Sequence, residues 1–498
     1  MGEEALLGAL LPPAGASGGI ARGDAGPVHA DVPLVVDLDG TLIRTDSLLE
    51  SLFVLAKERP RLLFSVPLWL AQGRARLKQR VAAAALPNAR TLPYDRELLR
   101  YLDGQKRQGR RLVLATGADQ RLARRVAEQL GLFDSVLASD GTTNLSGAAK
   151  QQALVAMYGE RGFDYVGAGP RDLPVWRSAR RAIVVSRSEP LAAAARKVAT
   201  VERVLGGGGA GIGTYLRELR WHHWIKNLLV FVPLLAADRL TDAGVLAPAV
   251  AAFVGMCLAA SSVYLLDDLL DLPRDRRHPH KRQRPIASGD IPATDALILL
   301  GLLLLGAVAV SLLLPAAYRA AVAAYLALML AYVLRVRDLR IVDALLLGFG
   351  YTLRIIAGSA AVAISVSAWV LVCSTLLFFS LALLKRFSEL ALAGVLVDAD
   401  AQSHGYRAGD APLVSALGRL SGAAAMVVLA LYPLARPAAV GGQWLLWCGC
   451  ALMLYWMQRL WRLAGEGCIH DDPVMFALKD RQSLIVGAIV LTLFLAAA

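Results

Sequence analysis

Four aspartates lie within one short segment near the middle of the chain. Residues 264–289 read YLLDDLLDLPRDRRHPHKRQRPIASG and end a long apolar run. The acids are Asp267, Asp268, Asp271 and Asp275. Carboxylates at spacings of three, four, seven or eight share one helical face and repel each other unless a divalent cation holds them. Because Mg²⁺ prefers oxygen ligands and bridges them to substrate phosphates, the segment predicts a magnesium–diphosphate site.

A basic cluster follows the acids directly. Lys281, Arg282 and Arg284 could take the phosphate charge that the metal leaves uncompensated. The alternative is a loop between two transmembrane helices whose cations only fix the topology. A loop of that kind needs no ladder of four acids, so we favour the ligand-binding interpretation.

The acidic ladder resembles the Asn-Asp-x-x-Asp-x-x-x-Asp motif of the UbiA superfamily of intramembrane prenyltransferases, with Asp267 where the family usually has Asn. Its continuation, HP-x-K-R-x-RP-x-A-S-G, resembles the branch of decaprenyl-phosphate phosphoribosyltransferases. That resemblance implies Mg²⁺-dependent transfer of 5-phosphoribosyl from phosphoribosyl diphosphate to polyprenyl phosphate. The metal ligands would be the four aspartates of the ladder.

Further segments are similar to the same branch. They are W-x-K-N with Lys226 and Asn227, KR-x-x-EL with Lys385 and Arg386, and HDDPVMFALKDRQSL at 470–484. We expect these four residues to bind substrate, and Asp471 and Asp472 to be structural.

A second acid site is less regular. UbiA enzymes usually carry Asp-x-x-x-Asp here, whereas Asp338 and Asp343 are five residues apart. A charge within a span is costly unless it is functional, so Asp343 is a candidate substrate ligand. Arg354 lies three helical turns further along the same face. It is either a second ligand or the partner of Asp343 in an intramembrane ion pair.

Apolar runs recur from Leu228 onward and predict bilayer-spanning helices. Nine are expected, at 224–237, 244–266, 293–314, 317–334, 341–363, 367–384, 412–434, 441–461 and 482–498. With the N-terminus inside, the cytoplasmic loops contain sixteen Lys and Arg residues against three in the opposite loops. The positive-inside rule therefore predicts a multi-pass cell-membrane protein whose polar clusters face the cytoplasm.

Composition narrows the classes of partner. The net charge of +13 suits a surface that meets anionic lipid head groups and phosphorylated substrates. Nucleic acid is not expected, because the charge lies in loops between spans. The N-terminus lacks the basic region of a signal peptide. The five cysteines have neither disulfide nor zinc spacing, and the sequence is compatible with a monomer or an oligomer.

A different motif lies near the N-terminus. The run PLVVDLDGTL at 33–42 predicts a buried strand that delivers Asp37 and Asp39 at its carboxyl end. It resembles motif I of the haloacid dehalogenase (HAD) superfamily. Thr116 after RLVLA, Lys150, and Asp172 in FDYVGAGPRDLPVW fit the later motifs of that superfamily. The family normally has Gly-Asp where this chain has Gly167-Ala168, so one metal ligand is missing.

The HAD resemblance implies phosphoryl transfer to a carboxylate. Asp37 would attack phosphorus, Asp39 would protonate the leaving alcohol, and Lys150 with Mg²⁺ on Asp37 and Asp172 would neutralise charge. Two interpretations of the missing ligand remain open: a weakened phosphatase or a relic retained for structure. The expected cap at 45–100 contains the apolar segment 62–71, which is either a buried cap helix or a contact with the bilayer.

The predicted organisation therefore begins with a disordered segment at 1–30 and an α/β HAD-like domain at 31–204, which includes the helical cap. A glycine-rich linker at 205–214 follows, and then an all-α UbiA-like membrane domain at 215–498. Because every residue assigned to the transferase follows the linker, the two halves are expected to act independently.

Three competing functions remain open. One is prenyl transfer from a prenyl diphosphate to an aromatic or other small acceptor, with an inactive HAD domain. Another is a phosphatase whose membrane half is only an anchor. The third is a non-catalytic lipid-binding scaffold, supported only by Ala168.

Overall fold

The computed structural model describes residues 32–186, 189–206, 210–237, 239–278, 281–395, 405–431, 442–469 and 472–497. The predicted segment 1–30 lies outside these residues, as do three glycines of the linker (207–209) and Asp471. The chain divides into two compact units. The first is the chain up to Leu219 together with Leu265–Leu300, and the second is Arg220–Tyr264 together with the chain from Gly301 onward. The predicted domain boundaries remain a prediction.

A parallel six-stranded sheet forms the centre of the first unit, with strand order β3-β2-β1-β4-β5-β6. The strands are β1 Leu34–Val36, β2 Leu112–Asp119, β3 Ser135–Ser139, β4 Asp164–Gly167, β5 Ala182–Val185 and β6 Val201–Leu205. The chain order changes direction between β1 and β4, where α/β proteins commonly place their ligands at the carboxyl ends of the strands.

The described α-helices of this unit that precede the membrane region lie between β1 and β2 or follow the later strands in turn. They are α1 Ser47–Glu58, α2 Val66–Ala71, α3 Arg74–Ala84, α4 Arg96–Arg107, α5 Gln120–Leu130, α6 Ala148–Tyr158, α7 Leu173–Ser178, α8 Glu189–Val198 and α9 Ile212–Glu218. Successive strand residues point to opposite faces, so Leu34 packs in one core with Leu98 while Val35 packs in another with Trp176. Each such fully buried aliphatic side chain contributes about 1.5–3 kcal/mol.

The apolar segment at 62–71 lies between β1 and β2, in the 3₁₀ helix Pro60–Ser65 and α2. Phe64 is 89% exposed and Leu68 is 62% exposed. The interpretation as a buried cap helix is therefore wrong for these side chains. An exposed apolar surface of this kind is typical of a site of contact with another apolar phase.

The remaining helices include the long apolar ones. They are α10 Val232–Ala236, α11 Ala243–Leu270, α12 Leu272–Asp275, α13 Ala293–Leu312, α14 Ala316–Leu334, α15 Val342–Val362, α16 Ala368–Val395, α17 Ala411–Leu431, α18 Gly442–Gly465, α19 Pro473–Lys479 and α20 Arg481–Ala497. Six of the described helices (α11 and α13–α17) are long and apolar enough to cross a membrane. The chain is thus an α/β domain followed by a helical membrane domain.

The expected count of nine spans is not confirmed, because three of the predicted segments differ from the other six. The segment at 224–237 forms a 3₁₀ helix, Trp221–Phe231, followed by the five-residue α10. Helix α20 has 17 residues, fewer than the roughly 20 that a span requires. Helix α18 is long enough, but Gln443 and Gln458 limit its uninterrupted apolar stretch.

Gly358 sets one close contact within the second unit. A Cβ atom at this position would collide with the carbonyl oxygen of Val230. The absence of a side chain lets α15 pack backbone against backbone on the 3₁₀ helix Trp221–Phe231. Arg354, one turn earlier on α15, is thereby brought to Asn227.

Candidate active sites

The predicted HAD-like residues meet at the carboxyl ends of the central strands. Asp37 follows β1, and Lys150 projects from α6. The Lys150 Nζ donates to Asp37 Oδ1 at 2.6 Å and to the Tyr165 hydroxyl at 2.9 Å. A lysine paired directly with the candidate nucleophile is positioned to offset the charge of a phosphoryl group there.

Asp172 joins the same network through Tyr165. The Tyr165 hydroxyl donates to Asp172 Oδ1 at 2.8 Å, and the amides of Ala168 and Gly169 each donate to Asp172 Oδ2 at 3.0 Å. Burial, followed by the charge of Asp172, raises the pKa of Tyr165 well above its ordinary value, so the hydroxyl remains a donor. Tyr165 is not among the predicted site residues, although a tyrosine in a buried strand usually has a hydrogen-bond partner.

The acids of this site could bind a divalent cation and supply a proton. Burial, then repulsion from Asp37, raises the pKa of Asp172 to about 6. Burial, then the charges of Asp46 and Asp37, raises the pKa of Asp39 to about 7. Because Asp37 and Asp172 repel each other, a divalent cation shared between them would be stabilised. Asp39 can hold the proton that an alcohol leaving group requires.

Thr116, which was predicted, and Lys78, which was not, lie at the same end of the sheet. The Thr116 side chain is fully buried at the carboxyl half of β2 and accepts from the Ala118 amide at 3.0 Å. Lys78 of α3 donates to the Gly117 carbonyl at 2.5 Å and to Asn144 Oδ1 at 2.9 Å, and burial lowers its pKa. Lys78 is a further cation for a phosphate bound at this end of the sheet.

Two carboxylates of the acidic ladder converge on one atom. Arg284 Nη1 donates to Asp268 Oδ1 at 2.8 Å and to Asp275 Oδ2 at 2.6 Å. Asp268 and Asp275 are only 2% and 3% exposed. Burial raises the pKa of Asp275 even though Arg284 opposes it. Two buried carboxylates aimed at one cationic centre are a donor set that fits Mg²⁺, which commonly takes one or two protein carboxylates and substrate phosphates.

The other members of the ladder are placed differently. Asp271 forms an ion pair with Lys57, whereas Asp267 and Lys281 are partly exposed and Arg282 is exposed. Within the described ranges, no three His, Cys, Asp or Glu side chains lie close enough to form a metal-binding group. The structure therefore brings together Asp268, Asp275 and Arg284, but not the four aspartates.

In the second unit, Lys226 and Arg354 are buried cations that both lie against the ring of Tyr351. Lys226 Nζ donates to Asp472 Oδ2 at 2.7 Å. Burial raises the pKa of Asp472, but Lys226 and then Lys385 outweigh burial and hold it well below its ordinary value. Arg354 donates to Asn227 Oδ1 at 2.7 Å, to the Gly350 carbonyl at 2.7 Å and to the Tyr325 hydroxyl at 3.0 Å. The acceptors of these three bonds are neutral, so the guanidinium charge stays available to an anion.

Asp343 pairs with Arg386. Arg386 donates to Asp343 Oδ2 at 2.7 Å and to Glu389 Oε2 at 2.8 Å, and the Tyr406 hydroxyl donates to Asp343 Oδ1 at 2.5 Å. Asp343 therefore pairs with Arg386, whereas the three acceptors of Arg354 are neutral groups. The predicted alternative of an Asp343–Arg354 ion pair is wrong. The candidate ligands in this unit thus form two networks, of which the one around Arg354 is the more cationic.

Comparison with known proteins matches two families along the chain. Residues 229–471 match the UbiA prenyltransferase family, and residues 34–177 match the haloacid dehalogenase-like hydrolases. An uncharacterized protein of Sinorhizobium fredii, y4nM, is 34% identical over 472 residues, which cover 94% of this chain and 91% of that protein. It therefore matches both halves.

Two other relatives match about half of this chain. Nodulation protein NoeC of Azorhizobium caulinodans is 36% identical over 275 residues, covering 55% of this chain and 89% of that protein. Decaprenyl-phosphate phosphoribosyltransferase of Mycolicibacterium smegmatis is 33% identical over 279 residues, covering 53% of this chain and 86% of that protein. The chain therefore belongs to the UbiA prenyltransferase family and carries a haloacid dehalogenase-like domain at its N-terminal side.

Proposed function

We propose that the membrane half transfers 5-phosphoribosyl from phosphoribosyl diphosphate to a polyprenyl phosphate in a Mg²⁺-dependent reaction. The observation that carries this proposal is the convergence of Asp268 and Asp275 on one cationic centre. The choice of donor and acceptor is supported by the relative in Mycolicibacterium smegmatis, whose name is decaprenyl-phosphate phosphoribosyltransferase. A decaprenyl-type acceptor is the lipid we propose for this chain.

The acidic loop, residues 267–292, would bind the donor. Asp268, Asp271 and Asp275 are the residues that would hold Mg²⁺, with Asp267 as a further oxygen ligand. When bound, the metal would stabilise the departing diphosphate as a Lewis acid. Lys281, Arg282 and Arg284 are assigned to the remaining phosphate charge. Arg284 would exchange its carboxylate partners for phosphate oxygens.

The acceptor needs no general base. Its phosphate is already an anion at neutral pH, so one of its oxygens can bond to the anomeric carbon as the bond from that carbon to diphosphate breaks. Among the cations of the second unit, Arg354 is the stronger candidate for binding substrate phosphate, because its acceptors are neutral whereas Arg386 is paired with Asp343 and Glu389. Lys226 would have to exchange Asp472 for a phosphate oxygen. Asn227 would orient Arg354, and Lys385 would add to the positive charge.

The HAD-like domain is assigned the next step, removal of the 5-phosphate from the lipid product. The Asp37 carboxylate would bond to phosphorus while the bond to the ribose 5-oxygen breaks, and Asp39 would give that oxygen its proton. Water would then hydrolyse the aspartyl phosphate and release inorganic phosphate. Lys150 would offset the negative charge at Asp37, and Thr116 would bind the phosphoryl group. Asp37 and Asp172 would hold Mg²⁺, which would offset the charge of the phosphoryl group.

Both reactions are proposed to occur at the cytoplasmic face of the cell membrane. The distribution of Lys and Arg between the loops supports this orientation. The exposed Phe64 and Leu68 would lie in the membrane interface, where the lipid product emerges. Tethering would raise the concentration of product at the phosphatase site.

The test is incubation of membranes that contain the chain with radiolabelled phosphoribosyl diphosphate, polyprenyl phosphate and Mg²⁺. A labelled lipid that depends on both substrates and on the metal is expected. A parallel reaction with labelled prenyl diphosphate and an aromatic acceptor tests the competing prenyltransferase. Product in that reaction alone would refute phosphoribosyl transfer.

A further inference from the structure

The acidic loop is bound to the HAD-like domain through a buried ion pair. Arg276 donates to Glu50 of α1 through both terminal nitrogens, at 2.9 and 2.7 Å. The two side chains are nearly inaccessible to solvent, and Thr45 also donates to Glu50, at 2.9 Å. Arg276 Nε donates back to the Ala287 carbonyl at 2.9 Å. Glu50 therefore fixes the arginine that ties together the two ends of the loop.

The backbone of the loop comes equally close to this domain. Gly289 has φ +78°, and a Cβ atom there would lie 2.7 Å from the Cβ of Arg44 and 3.1 Å from that of Pro93. Arg44 also pairs with Asp290 at 3.5 Å. A residue with a side chain at 289 would be strained and would separate the two segments.

The other end of α1 contacts the acidic ladder itself. Lys57, in the last turn of the helix, forms an ion pair with Asp271. An ammonium group is thus placed on a carboxylate that the transferase would need for its metal. The pair is partly exposed, so its strength is modest and the lysine can be displaced.

Helix α1 also begins at the phosphatase site. The Ser47 amide donates to Asp39 Oδ1 at 2.8 Å, and Asp46 caps the helix by accepting from the amides of Leu48 and Leu49. A single helix of 12 residues therefore contacts the candidate acid of one reaction at its start and a candidate metal ligand of the other at its end.

We propose that α1 of the HAD-like domain is part of the transferase site, in which Glu50 positions the acidic loop through Arg276 and Lys57 is the counter-ion that a divalent cation must displace from Asp271. This inference rests on the proposed function for the role of the loop. It replaces the expectation that the two halves act independently. Lys57 and Glu50 are positioning residues, since they act through Asp271 and Arg276.

Competition between Lys57 and the metal predicts that loss of the lysine raises the affinity of the site for the metal. Removing the ammonium group leaves Asp271 without this counter-ion, so a divalent cation has one charge fewer to displace. Lys57→Met should therefore bind the cation about fivefold more tightly, the scale expected for a partly exposed ion pair. A residue that served only to hold the fold would leave the affinity for the metal unchanged.

The experiment measures free Mn²⁺ by electron paramagnetic resonance while the full chain is titrated with Mn²⁺ in detergent. An Asp37→Asn background weakens metal binding at the phosphatase site, so the titration reports mainly on the acidic loop. Lys57→Met should lower the dissociation constant about fivefold. Lys106→Met is the matched control, because it removes an ion pair with Asp134 in the same domain, and it should leave the constant unchanged. An equal or weaker affinity in Lys57→Met overturns the role given to Lys57.

The role of Glu50 is tested by limited proteolysis of the same full chain. Glu50→Gln removes the charge that holds Arg276, and trypsin should then cut after the exposed Arg277 several-fold faster than in the unaltered chain. Thermal unfolding of both proteins checks that the fold is retained. Cleavage at the original rate in a folded Glu50→Gln protein overturns the positioning role.

These measurements do not depend on the identity of the substrates. If Mn²⁺ affinity and proteolysis change as expected but no labelled lipid forms, the proposed reaction fails and the coupling through α1 stands. If labelled lipid forms while neither measurement responds, the reaction stands and this inference fails.

Discussion

Asp268 and Asp275 are seven residues apart in the chain, yet both accept a hydrogen bond from the same nitrogen of Arg284. Two carboxylates that share one hydrogen-bond donor repel each other, and burial makes the repulsion stronger. The arginine resolves it with a charge that belongs to the chain. A divalent cation would also neutralise the repulsion, so Arg284 and the cation compete for the same carboxylate oxygens.

Replacing Arg284 by Gln should therefore make stability depend on the metal. Without divalent cations the free energy of unfolding should fall by about 2 kcal/mol, less than for a fully buried pair because the Arg284 side chain is 31% exposed. Added Mg²⁺ should recover most of that loss. Thermal unfolding in chelator and in Mg²⁺ measures both effects, with the exposed Arg282→Gln as the control. Equal losses in both buffers would refute the idea that the carboxylates accept a metal.

Asp268→Asn or Asp271→Asn should reduce phosphoribosyl transfer about 100-fold or more, because the metal-bound diphosphate loses a charged ligand. Asp290→Asn in the same loop should retain transfer, since Asp290 lies outside the ladder. Initial rates with labelled donor, normalised to folded protein, check the prediction. Full activity in either of the first two variants would remove these acids from the metal site.

Arg354 and Arg386 should respond differently to substitution. Arg386→Met removes the cationic partner of two acids and should cost about 3–5 kcal/mol of stability. Arg354→Lys keeps its charge but loses the planar fork, so the KM for the phosphorylated substrate should rise about tenfold while the protein remains folded. Kinetics together with thermal unfolding separate the two cases. A normal KM in Arg354→Lys would point to a purely structural arginine.

Asp37→Asn should halt the sequence of reactions at the 5-phosphorylated lipid, whereas the unaltered chain should release inorganic phosphate. The nucleophile is lost, but the transferase ligands are untouched. Chromatography of the labelled lipids distinguishes the two products. Identical products from both proteins would mean that the HAD-like domain is a relic in this reaction.

Ala168→Asp should restore the missing metal ligand of that domain. Asp172 is already held by the amides of Ala168 and Gly169, so the backbone there is in place and only the carboxylate is absent. Dephosphorylation should become faster at low Mg²⁺ concentration. Ala168→Asn, which adds a similar volume without the charge, should gain less. No gain in Ala168→Asp would show that this position does not limit the step.

Much of the HAD-like site could be predicted from local patterns. An apolar strand that ends in DLDGT places Asp37 at the edge of a parallel sheet, and Lys150 lies where its motif suggests. Tyr165 could not be assigned in this way, because its role arises only when Lys150 and Asp172 approach it from other elements.

The acidic ladder was identified from its spacing, but its partners could not be. Glu50 and Arg276 are 226 positions apart, and no local periodicity relates them. Lys57 reads as a basic residue at the end of a helix, which the helix dipole alone would explain. The choice between Arg354 and Arg386 as the partner of Asp343 likewise depends on how helices pack, which hydrophobic runs do not specify.

The contact between Gly358 and Val230 has a consequence for how the membrane half can vary. Helices held apart by side chains can exchange one apolar residue for another of similar volume. Here the spacing is set by the main chains at Gly358 and Val230, so a single added methyl group at 358 would collide with the Val230 carbonyl. Position 358 therefore requires glycine, because any side chain there would move the two segments apart and draw Arg354 away from Asn227.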